Sequence, residues 1–253
     1  MEDKYKDLLR HIQANGVDRA DRTGVGSRSA FGLTLDFNVS ETLPILTGRK
    51  ISLDVANTEL MWFLNGETNI KRFQEKNIKI WDAWADENGE LGPVYGHQLR
   101  NFNSQDIDQL TEVVDSIKTN PDSRRHIISL WNPVQLSEMR LPPCYLYFQF
   151  FVENDKLNMF VVQRSADMFL GVPYDLLLFT GLLNKVAHLV DLIPNEIKVS
   201  FVDAHIYSNQ EEAVNQYLNT KTYWQPKYFW NSSVMGLSEI YIFDKIITAP
   251  VAI

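Results

Sequence analysis

The 253-residue chain contains one cysteine, Cys144, which directly follows the pair Pro142-Pro143. Two prolines fix the backbone and remove two amide donors, so the thiol is expected at a rigid corner before a strand. A lone cysteine is more often a small buried apolar residue than a nucleophile. A nucleophilic role requires positive charge that favours the thiolate, and Arg164 and the pair Arg124-Arg125 are the candidates.

A second group of polar residues lies in the segment QRSADMFLGVPYDLLLF. Arg164 and Ser165 supply a forked donor and a hydroxyl, which suit a phosphate, although most such pairs belong to a solvated surface. Asp167 and Asp175 interrupt an otherwise apolar stretch. Because a carboxylate that enters a buried helix needs a partner or a function, this segment is a candidate site.

Two further clusters combine rings with polar groups. The segment DAHIYSN, expected directly after a strand, places Asp203, His205 and Tyr207 on one face. This pattern fits either a ligand contact or a hydrogen-bond network at the strand end. The segment IWDAWADENGELGPVYG contains Trp81 and Trp84, which either stack on a flat heterocycle or belong to the core.

The elements that position these residues are predicted from the spacing of apolar side chains. Helical spacing predicts helices in residues 5–12, 53–64, 107–117 and 176–189. Aromatic and β-branched runs predict strands at 126–131, 145–152, 157–162 and 197–202. The segment DRTGVGSRS is predicted to be a polar loop. No linker or repeat divides residues 1–253, so we expect a single α+β domain with a largely buried sheet.

The composition excludes several classes of function. With 32 acidic and 24 basic residues the chain carries a formal charge of −8, which argues against a general nucleic-acid or membrane-surface binder. No apolar run approaches the roughly 18 residues that span a bilayer, and the N-terminus lacks a signal-peptide core. One cysteine excludes a Cys-rich metal site and a zinc deaminase. We expect a cytoplasmic protein without a metal.

The ordered motifs of the chain resemble those of the folate-dependent thymidylate synthases that use a cysteine nucleophile. The matching segments are DRTGVGS, ELMWFLNGETNI, IWDAWADENGELGPVYG, PDSRRHI, the PPC turn, QRSADMFLGVPYD, DAHIYSN and APVAI. The resemblance implies one thymidylate synthase-like domain in which helices cover a mixed β-sheet. It also implies an obligate homodimer built on one face of that sheet.

The resemblance further implies a reaction. A methyl group would be added at C5 of a pyrimidine deoxynucleotide 5′-monophosphate, with 5,10-methylenetetrahydrofolate as donor of carbon and hydride and dihydrofolate as product. Cys144 would attack C6 of the base, which makes C5 nucleophilic. Glu59 would manage protons on the ring, and Tyr95 would take part in removing the C5 proton.

The binding residues follow from the same resemblance. The phosphate would be bound by Arg22, Arg164 and Ser165 of one subunit and by Arg124 and Arg125 of the partner. His205 and Tyr207 would bind the sugar 3′-hydroxyl. The residues implied for the folate are Trp81, Trp84, Asp167, Gly171 and Ile253.

Asp175 departs from the family pattern, which has asparagine at this position. Uracil offers an N3–H donor and an O4 acceptor, which match the two ends of an asparagine amide, whereas cytosine reverses both. A protonated aspartate donates to N3 and accepts from N4, while an ionised one pairs with N3-protonated cytosine. Aspartate here resembles the phage deoxycytidylate hydroxymethylases of the same family. The sequence therefore favours dCMP and hints at a phage-encoded enzyme, which would act in the host cytoplasm.

Other features leave alternatives open. The terminal APVAI and the two tryptophans resemble the parts that exclude water in the methylases, which favours methyl over hydroxymethyl transfer. An ordinary dUMP enzyme that tolerates Asp175 is a second alternative, and a silent nucleotide- or RNA-binding regulator is a third. Three smaller departures affect substrate or folate affinity. They are Tyr145 and Ser52, where histidine is common, and Phe201-Val202 in place of a Gly-Gly pair.

Overall fold

The computed structural model describes residues 1–227 and 242–252. The predicted role of Ile253 therefore lies outside the described residues. The helices are α1 Glu2–Asn15, α2 Leu53–Leu64, α3 Lys71–Glu75, α4 Tyr95–Arg100, α5 Gln109–Thr119, α6 Val172–Leu189 and α7 Glu211–Leu218. The four helices predicted from apolar spacing are confirmed as α1, α2, α5 and α6. The shorter α3, α4 and α7 were not predicted.

Seven strands form one mixed sheet. They are β1 Val17–Arg19, β2 Ser27–Asn38, β3 Ile127–Ser129, β4 Tyr145–Glu153, β5 Lys156–Gln163, β6 Ala166–Asp167 and β7 Ile193–Tyr207. The strand order is β1-β2-β7-β5-β4-β3, and the short β6 also pairs with β7. β7 runs parallel to β5 and β6, while the other neighbours are antiparallel. The expected α+β architecture with a mixed sheet covered by helices is confirmed.

Two local predictions are wrong at the edge of a loop. The segment predicted as a loop ends in β2, and the first five residues of the segment expected after a strand belong to β7, which ends at Tyr207. Both errors have one cause, because the two segments pair with each other, with Ser29 opposite His205 and Ser27 opposite Tyr207. This pairing joins residues far apart in sequence, which local patterns do not report.

Helices α2 and α6 pack against each other at a glycine. A Cβ atom at Gly181 would lie 2.3 Å from Cδ2 of Leu60, closer than real atoms approach. The helices reach this separation because the α6 residue at the contact has no side chain. The same two helices carry Glu59 and Asp175, so this contact sets how closely their two carboxyl groups lie.

The two faces of the sheet differ in what covers them. Residues of β4, β5 and β7 that face the helices, such as Phe148, Val161 and Val199, are fully buried. On the opposite face the strand register brings exposed apolar residues into one area. They are Ile127, Phe151, Phe160 and Val202, between 37% and 64% exposed. An apolar area of this kind marks an interaction surface.

No helix among the described residues has the length and apolar character that a membrane crossing requires.

Candidate active site

Cys144 lies in a tightly held turn directly before β4. Its backbone N–H donates to the hydroxyl of Tyr95 at 3.0 Å, and its carbonyl accepts from the N–H of Arg164 at 2.8 Å. The guanidinium of Arg164 donates to the carbonyls of Pro142 and Pro143, both at 2.8 Å. The rigid corner expected from the two prolines is present, and Arg164 braces it.

Burial and local charge act in opposite directions on the Cys144 thiol. Burial raises its pKa, while the charge of Arg164 and a hydrogen bond from Tyr95 lower it, and burial outweighs both. Nearby Asp175 and Asp167 raise the pKa further. Of the arginines predicted to favour the thiolate, Arg164 is the one whose charge lowers the pKa of Cys144 within the described residues. A nucleophilic thiolate needs further positive charge or a bound substrate.

Glu59 is a residue of helix α2, and its carboxyl contacts Trp81 at the candidate site. The indole N–H of Trp81 donates to its Oε1 at 3.1 Å. Burial, reinforced by the charge of Asp175, raises the pKa of Glu59 to about 8, although the bond from Trp81 opposes the rise. Glu59 is thus mostly protonated at neutral pH, and its carboxyl can both donate and accept.

Asp175 lies in the first turn of α6. The amide Nε2 of Gln163, the last residue of β5, donates to its Oδ2 at 2.7 Å. Burial raises the pKa of Asp175 to about 7, against the opposing hydrogen bond from Gln163 and with a further rise from Asp167. Close to neutral pH, Asp175 exists in comparable amounts with and without its proton.

Asp167 is a fixed acceptor beside Asp175. Its Oδ1 accepts from the backbone N–H groups of Phe169 and Leu170, both at 3.0 Å, and its Oδ2 accepts from Nε2 of Gln210 at 3.0 Å. Gly171 follows this turn, and its N–H donates to the carbonyl of Asp167 at 3.2 Å. Three donors hold the carboxylate of Asp167 in one orientation, which suits an acceptor for a ligand N–H.

His205 and Tyr207 project from the end of β7. Their rings are 4.9 Å apart at the centroids, and Nδ1 of His205 lies 3.3 Å from Oδ1 of Asp203. Burial raises the pKa of Tyr207 to about 12, and the positive charge of Arg22 opposes that rise. The hydrogen-bond network predicted as one alternative at this motif is present at His205, and Arg22 lies close enough to affect the pKa of Tyr207. The ligand contact stays a prediction.

Trp81 and Trp84 form an aromatic wall. Their rings are 5.9 Å apart, and Trp81 lies 5.7 Å from Tyr95 and 5.5 Å from Trp62. Trp81 is 8% exposed, so it belongs to the core while its N–H serves Glu59. The indole N–H of Trp84 is buried and has no hydrogen-bond partner in the described part of the chain. That unpaired donor beside a flat ring fits a heterocyclic ligand with an acceptor.

Some predicted residues are not gathered at this site within one chain. Arg124 and Arg125 are exposed in the loop before β3, and across residues 1–227 and 242–252 neither guanidinium has a hydrogen bond or ion pair. Arg22 is also exposed, and Ser165 is partly buried between Arg164 and β6. Of the residues predicted to bind a phosphate, Arg22, Arg164 and Ser165 thus lie by the candidate site, whereas no contact among the described residues links Arg124 and Arg125 to it.

The structure adds three residues that the sequence did not single out. Gln163 and Gln210 hold the two aspartates, and the ring of Trp131 lies 5.4 Å from the guanidinium carbon of Arg164. Gln163 directly precedes the pair Arg164-Ser165, and this adjacency is the one feature of the sequence that could have indicated its place in the site. Nothing local in the sequence links Trp131 or Gln210 to the site.

Two of the departures from the family pattern have a structural role. Tyr145 is buried, with its ring 4.8 Å from that of Tyr95. Ser52 caps α2 by accepting from the N–H of Val55 at 3.3 Å. Phe201 is buried in β7, while Val202 lies on the exposed face of the sheet. Tyr145 thus supports the residue that touches the Cys144 turn.

A comparison with protein families agrees with this geometry. The family described as thymidylate synthase matches residues 3–247, nearly the whole chain. Its enzymes transfer a one-carbon unit to C5 of a pyrimidine nucleotide and use methylenetetrahydrofolate as co-substrate. Within the described residues, no three His, Cys, Asp or Glu side chains form a group that could hold a metal ion. The chain belongs to the thymidylate synthase family.

Proposed function

We propose that the protein methylates C5 of a pyrimidine deoxynucleotide 5′-monophosphate, that dCMP is its preferred substrate, and that methylenetetrahydrofolate is the co-substrate. The observation that carries the choice of base is the Asp175 carboxyl. It is partly buried near Glu59, it is held by Gln163, and its pKa of about 7 leaves it partly protonated under physiological conditions.

The protonation of Asp175 supports cytosine. A neutral carboxyl donates to N3 of cytosine and accepts from its N4 amino group. An ionised carboxyl offers acceptors alone, which suits N3-protonated cytosine and opposes O4 of uracil. A buried mismatch of this kind costs about 1–3 kcal/mol for each unsatisfied group. Cytosine can therefore pair with either charge state of Asp175, whereas the ionised state opposes uracil.

Cys144 is the proposed nucleophile. Its sulfur forms a bond to C6, the electrons of the C5–C6 double bond move to C5, and C5 bonds to the incoming carbon. Tyr95 takes part in removing the C5 proton. Loss of that proton would accompany cleavage of the bond between the new carbon and the folate nitrogen, and hydride addition to that carbon would release the sulfur from C6 and restore the ring. Because burial raises the pKa of Cys144, the arginines gathered by a phosphate supply the charge that favours the thiolate.

Glu59 is the proposed proton carrier at the 4-substituent and N3 of the base. Since its pKa is about 8, it holds a proton at neutral pH and releases it without a large cost. The hydrogen bond from Trp81 leaves Oε2 for the ligand side. Glu59 thus stabilises negative charge that develops on the ring when Cys144 attacks.

The folate site is assigned to Trp81, Trp84, Asp167 and Gly171, with Ile253 as a further contact. The buried, unpaired N–H of Trp84 and the fixed carboxylate of Asp167 fit a flat heterocycle that has both donors and acceptors. When bound, the folate supplies the carbon and the hydride. The protein residues bind its ring and exclude water, while His205 and Tyr207 bind the sugar 3′-hydroxyl of the nucleotide.

We also propose a homodimer in which Arg124 and Arg125 complete the phosphate site of the partner. The exposed apolar area on the sheet supports a second copy of the chain as its cover. The two arginines support the same arrangement, because their guanidinium groups are exposed and unpaired within the described residues. They would join Arg22, Arg164 and Ser165 around the dianion.

Mixed dimers test that arrangement. Cys144→Ser dimers are expected to be nearly inactive, and Arg125→Ala dimers are expected to keep about a tenth of the wild-type rate when the nucleotide is far below its KM. At that nucleotide concentration, mixing and re-pairing the two variants places an intact Cys144 and an intact Arg125 in one site. We expect about a quarter of the wild-type number of sites to recover. If each mixture stays as inactive as its components while heterodimers form, Arg125 acts in its own subunit or not at all.

Hydroxymethyl transfer is the second candidate, because Asp175 is shared with the hydroxymethylase branch of the family. It differs in that water, rather than hydride, completes the product. The aromatic wall of buried Trp81 and partly buried Trp84 favours exclusion of water. Product mass distinguishes the two reactions, and oxidation of the folate accompanies methyl transfer alone.

The deciding assay supplies dCMP and dUMP in parallel with methylenetetrahydrofolate and follows absorbance and product mass. We expect a higher kcat/KM for dCMP, with a methylated product. Asp175→Asn should shift the dCMP-to-dUMP ratio of kcat/KM toward dUMP by about tenfold or more. A wild-type enzyme that turns over dUMP at least about tenfold better than dCMP would contradict the proposed base preference.

A further inference from the structure

A neutral carboxyl at Asp175 does not by itself choose a base. With the proton on the oxygen opposite N3, it donates to N3 of cytosine and accepts from N4. With the proton on the other oxygen, it accepts from N3–H of uracil and donates to O4. The two pairings use the same atoms, so the position of one proton within the carboxyl decides between them.

Gln163 occupies one of the two oxygens. Its Nε2 donates to Oδ2 of Asp175 at 2.7 Å, while Oδ1 of Asp175 accepts from no donor in residues 1–227 and 242–252. A carbonyl oxygen is a better acceptor than the hydroxyl oxygen of the same acid. The hydrogen bond therefore favours the proton on Oδ1.

The backbone of Gln163 is held on both sides. It is the last residue of β5 and pairs with Tyr145 of β4 and with Phe201 of β7. The next residue, Arg164, bonds to the carbonyl of Cys144. A side chain that starts from the middle of a sheet and is 2% exposed has little freedom to move, so its amide is a fixed reference for Asp175.

The hydrogen bonding of Gln163 also argues against a purely structural role. Its Oε1 is buried and has no partner within the described residues, so Asp175 is the one group that its side-chain amide serves there. A half-satisfied buried amide is costly for stability. An apolar residue of similar size would fill the same space without that cost.

The charges around Asp175 favour a retained proton. The titratable groups that interact with it are Glu59 of α2, Asp167 of β6, Tyr95 of α4, Tyr145 of β4 and the Cys144 thiol. Those that ionise become negative, so each opposes a further negative charge on Asp175. The neutral acid, whose proton position matters, is thus a relevant form of the site.

We propose that Gln163 is a specificity-determining positioning residue, which fixes the proton of neutral Asp175 on Oδ1 by occupying Oδ2 and so presents one pairing edge to the base. This proposal rests on the proposed function, in which Asp175 pairs with the base. It adds that the choice of base belongs to the Gln163–Asp175 pair rather than to Asp175 alone.

The test measures kcat/KM for dCMP and dUMP in wild type and Gln163→Met, which keeps the volume and removes the donor. We expect the ratio of the two values to move toward unity by about tenfold, the usual effect of one buried hydrogen bond. Gln163→Asn, whose amide is one methylene too short to reach Oδ2, should give the same result and serves if the Met variant folds poorly.

Gln210→Met is the matched control, because Gln210 is equally buried, also donates to an aspartate and also has an unpaired Oε1. It should alter folate KM and leave the base ratio unchanged. An equal loss on both substrates in the Gln163 variants would overturn the proposal. A wild type that prefers dUMP, with a ratio that still collapses in both variants, would overturn the dCMP assignment and support the role of Gln163.

Discussion

The two ends of the proposed nucleotide site are built differently. At the base end, Tyr95 is buried, Cys144, Glu59 and Asp175 are partly buried, and all four are hydrogen-bonded to one another or to neighbours. At the phosphate end, the guanidinium groups of Arg22 and the Arg124-Arg125 pair are exposed. The base end is therefore preorganised by folding, whereas the phosphate end is completed by the ligand and, as proposed, by a second subunit.

This difference predicts different kinetic effects. Changes at the base end should lower kcat, since they remove groups that act on the reacting atoms. Changes at the phosphate end should raise KM and the sensitivity to salt, since they weaken the charge attraction that brings the dianion to the site.

The largest effect is expected for Cys144→Ser. Serine keeps the turn but is a far weaker nucleophile, so kcat should fall by about ten-thousand-fold or more. Product formation with the preferred nucleotide measures the loss. Nucleotide binding by calorimetry should stay within about tenfold of wild type, because the turn is held by Tyr95 and Arg164. A variant with near-normal turnover would disprove the covalent mechanism.

Glu59→Gln should lower kcat by about a hundredfold, with a smaller change in KM. The amide keeps the size and can still accept from Trp81, but it does not transfer a proton. Steady-state kinetics over pH 6–9 checks this, because the wild-type dependence on a group with a pKa of about 8 should disappear. An effect on KM alone would place Glu59 among the binding groups instead.

Arg125→Ala should raise the nucleotide KM by about tenfold and leave kcat nearly unchanged. The wild-type KM should also rise more steeply with salt than that of the variant. Arg10→Ala is the control, because Arg10 is likewise exposed but pairs with Asp7 on α1. Equal effects of the two substitutions would remove the distinction between the two ends of the site.

The smallest expected effect concerns stability. Glu59 and Asp175 have ordinary pKa values of 4.5 and 3.8, which folding raises to about 8 and about 7. The folded state therefore retains protons that the unfolded state releases, and stability is greatest below about pH 4 as far as these groups are concerned. It should fall as the pH rises through about 8.

Thermal midpoints of the unliganded protein measure this loss. Other carboxyls contribute at low pH, so the useful quantity is the difference between wild type and Glu59→Gln with Asp175→Asn. The double variant should gain a few °C relative to wild type on going from pH 5 to pH 8. Parallel curves would show that burial does not perturb the two acids.

The fold and the site differ in how far the sequence predicts them. The long apolar helices α1, α2, α5 and α6 follow from spacing, because burial of one helix face is a local pattern. The β2 strand was missed, since its polar start at Ser27 is stabilised by pairing with Tyr207 from the far end of the chain. Long-range pairing of this kind has no local signature.

The residues of the candidate site also divide into those that local sequence reveals and those that depend on long-range contacts. Cys144, Arg164 and Asp175 are found from motifs because each is a reactive residue in unusual surroundings. The roles of Gln163 and Gln210 depend on their neighbours in three dimensions. The extent to which burial changes the pKa values of the carboxyls depends on them as well. Composition and spacing do not report the desolvation of a carboxyl, which is decided by what packs around it.

The contact between Gly181 and Leu60 separates two properties that evolution can change independently. It fixes the distance between α2 and α6, and hence between Glu59 and Asp175, through a residue without any chemistry. A replacement at position 175 can therefore alter the base that is read while the geometry of the neighbouring acid stays constant. A replacement of Gly181 would change the distance between the two acids for every base alike. A new substrate is therefore accessible by a single substitution at Asp175 and not by one at Gly181.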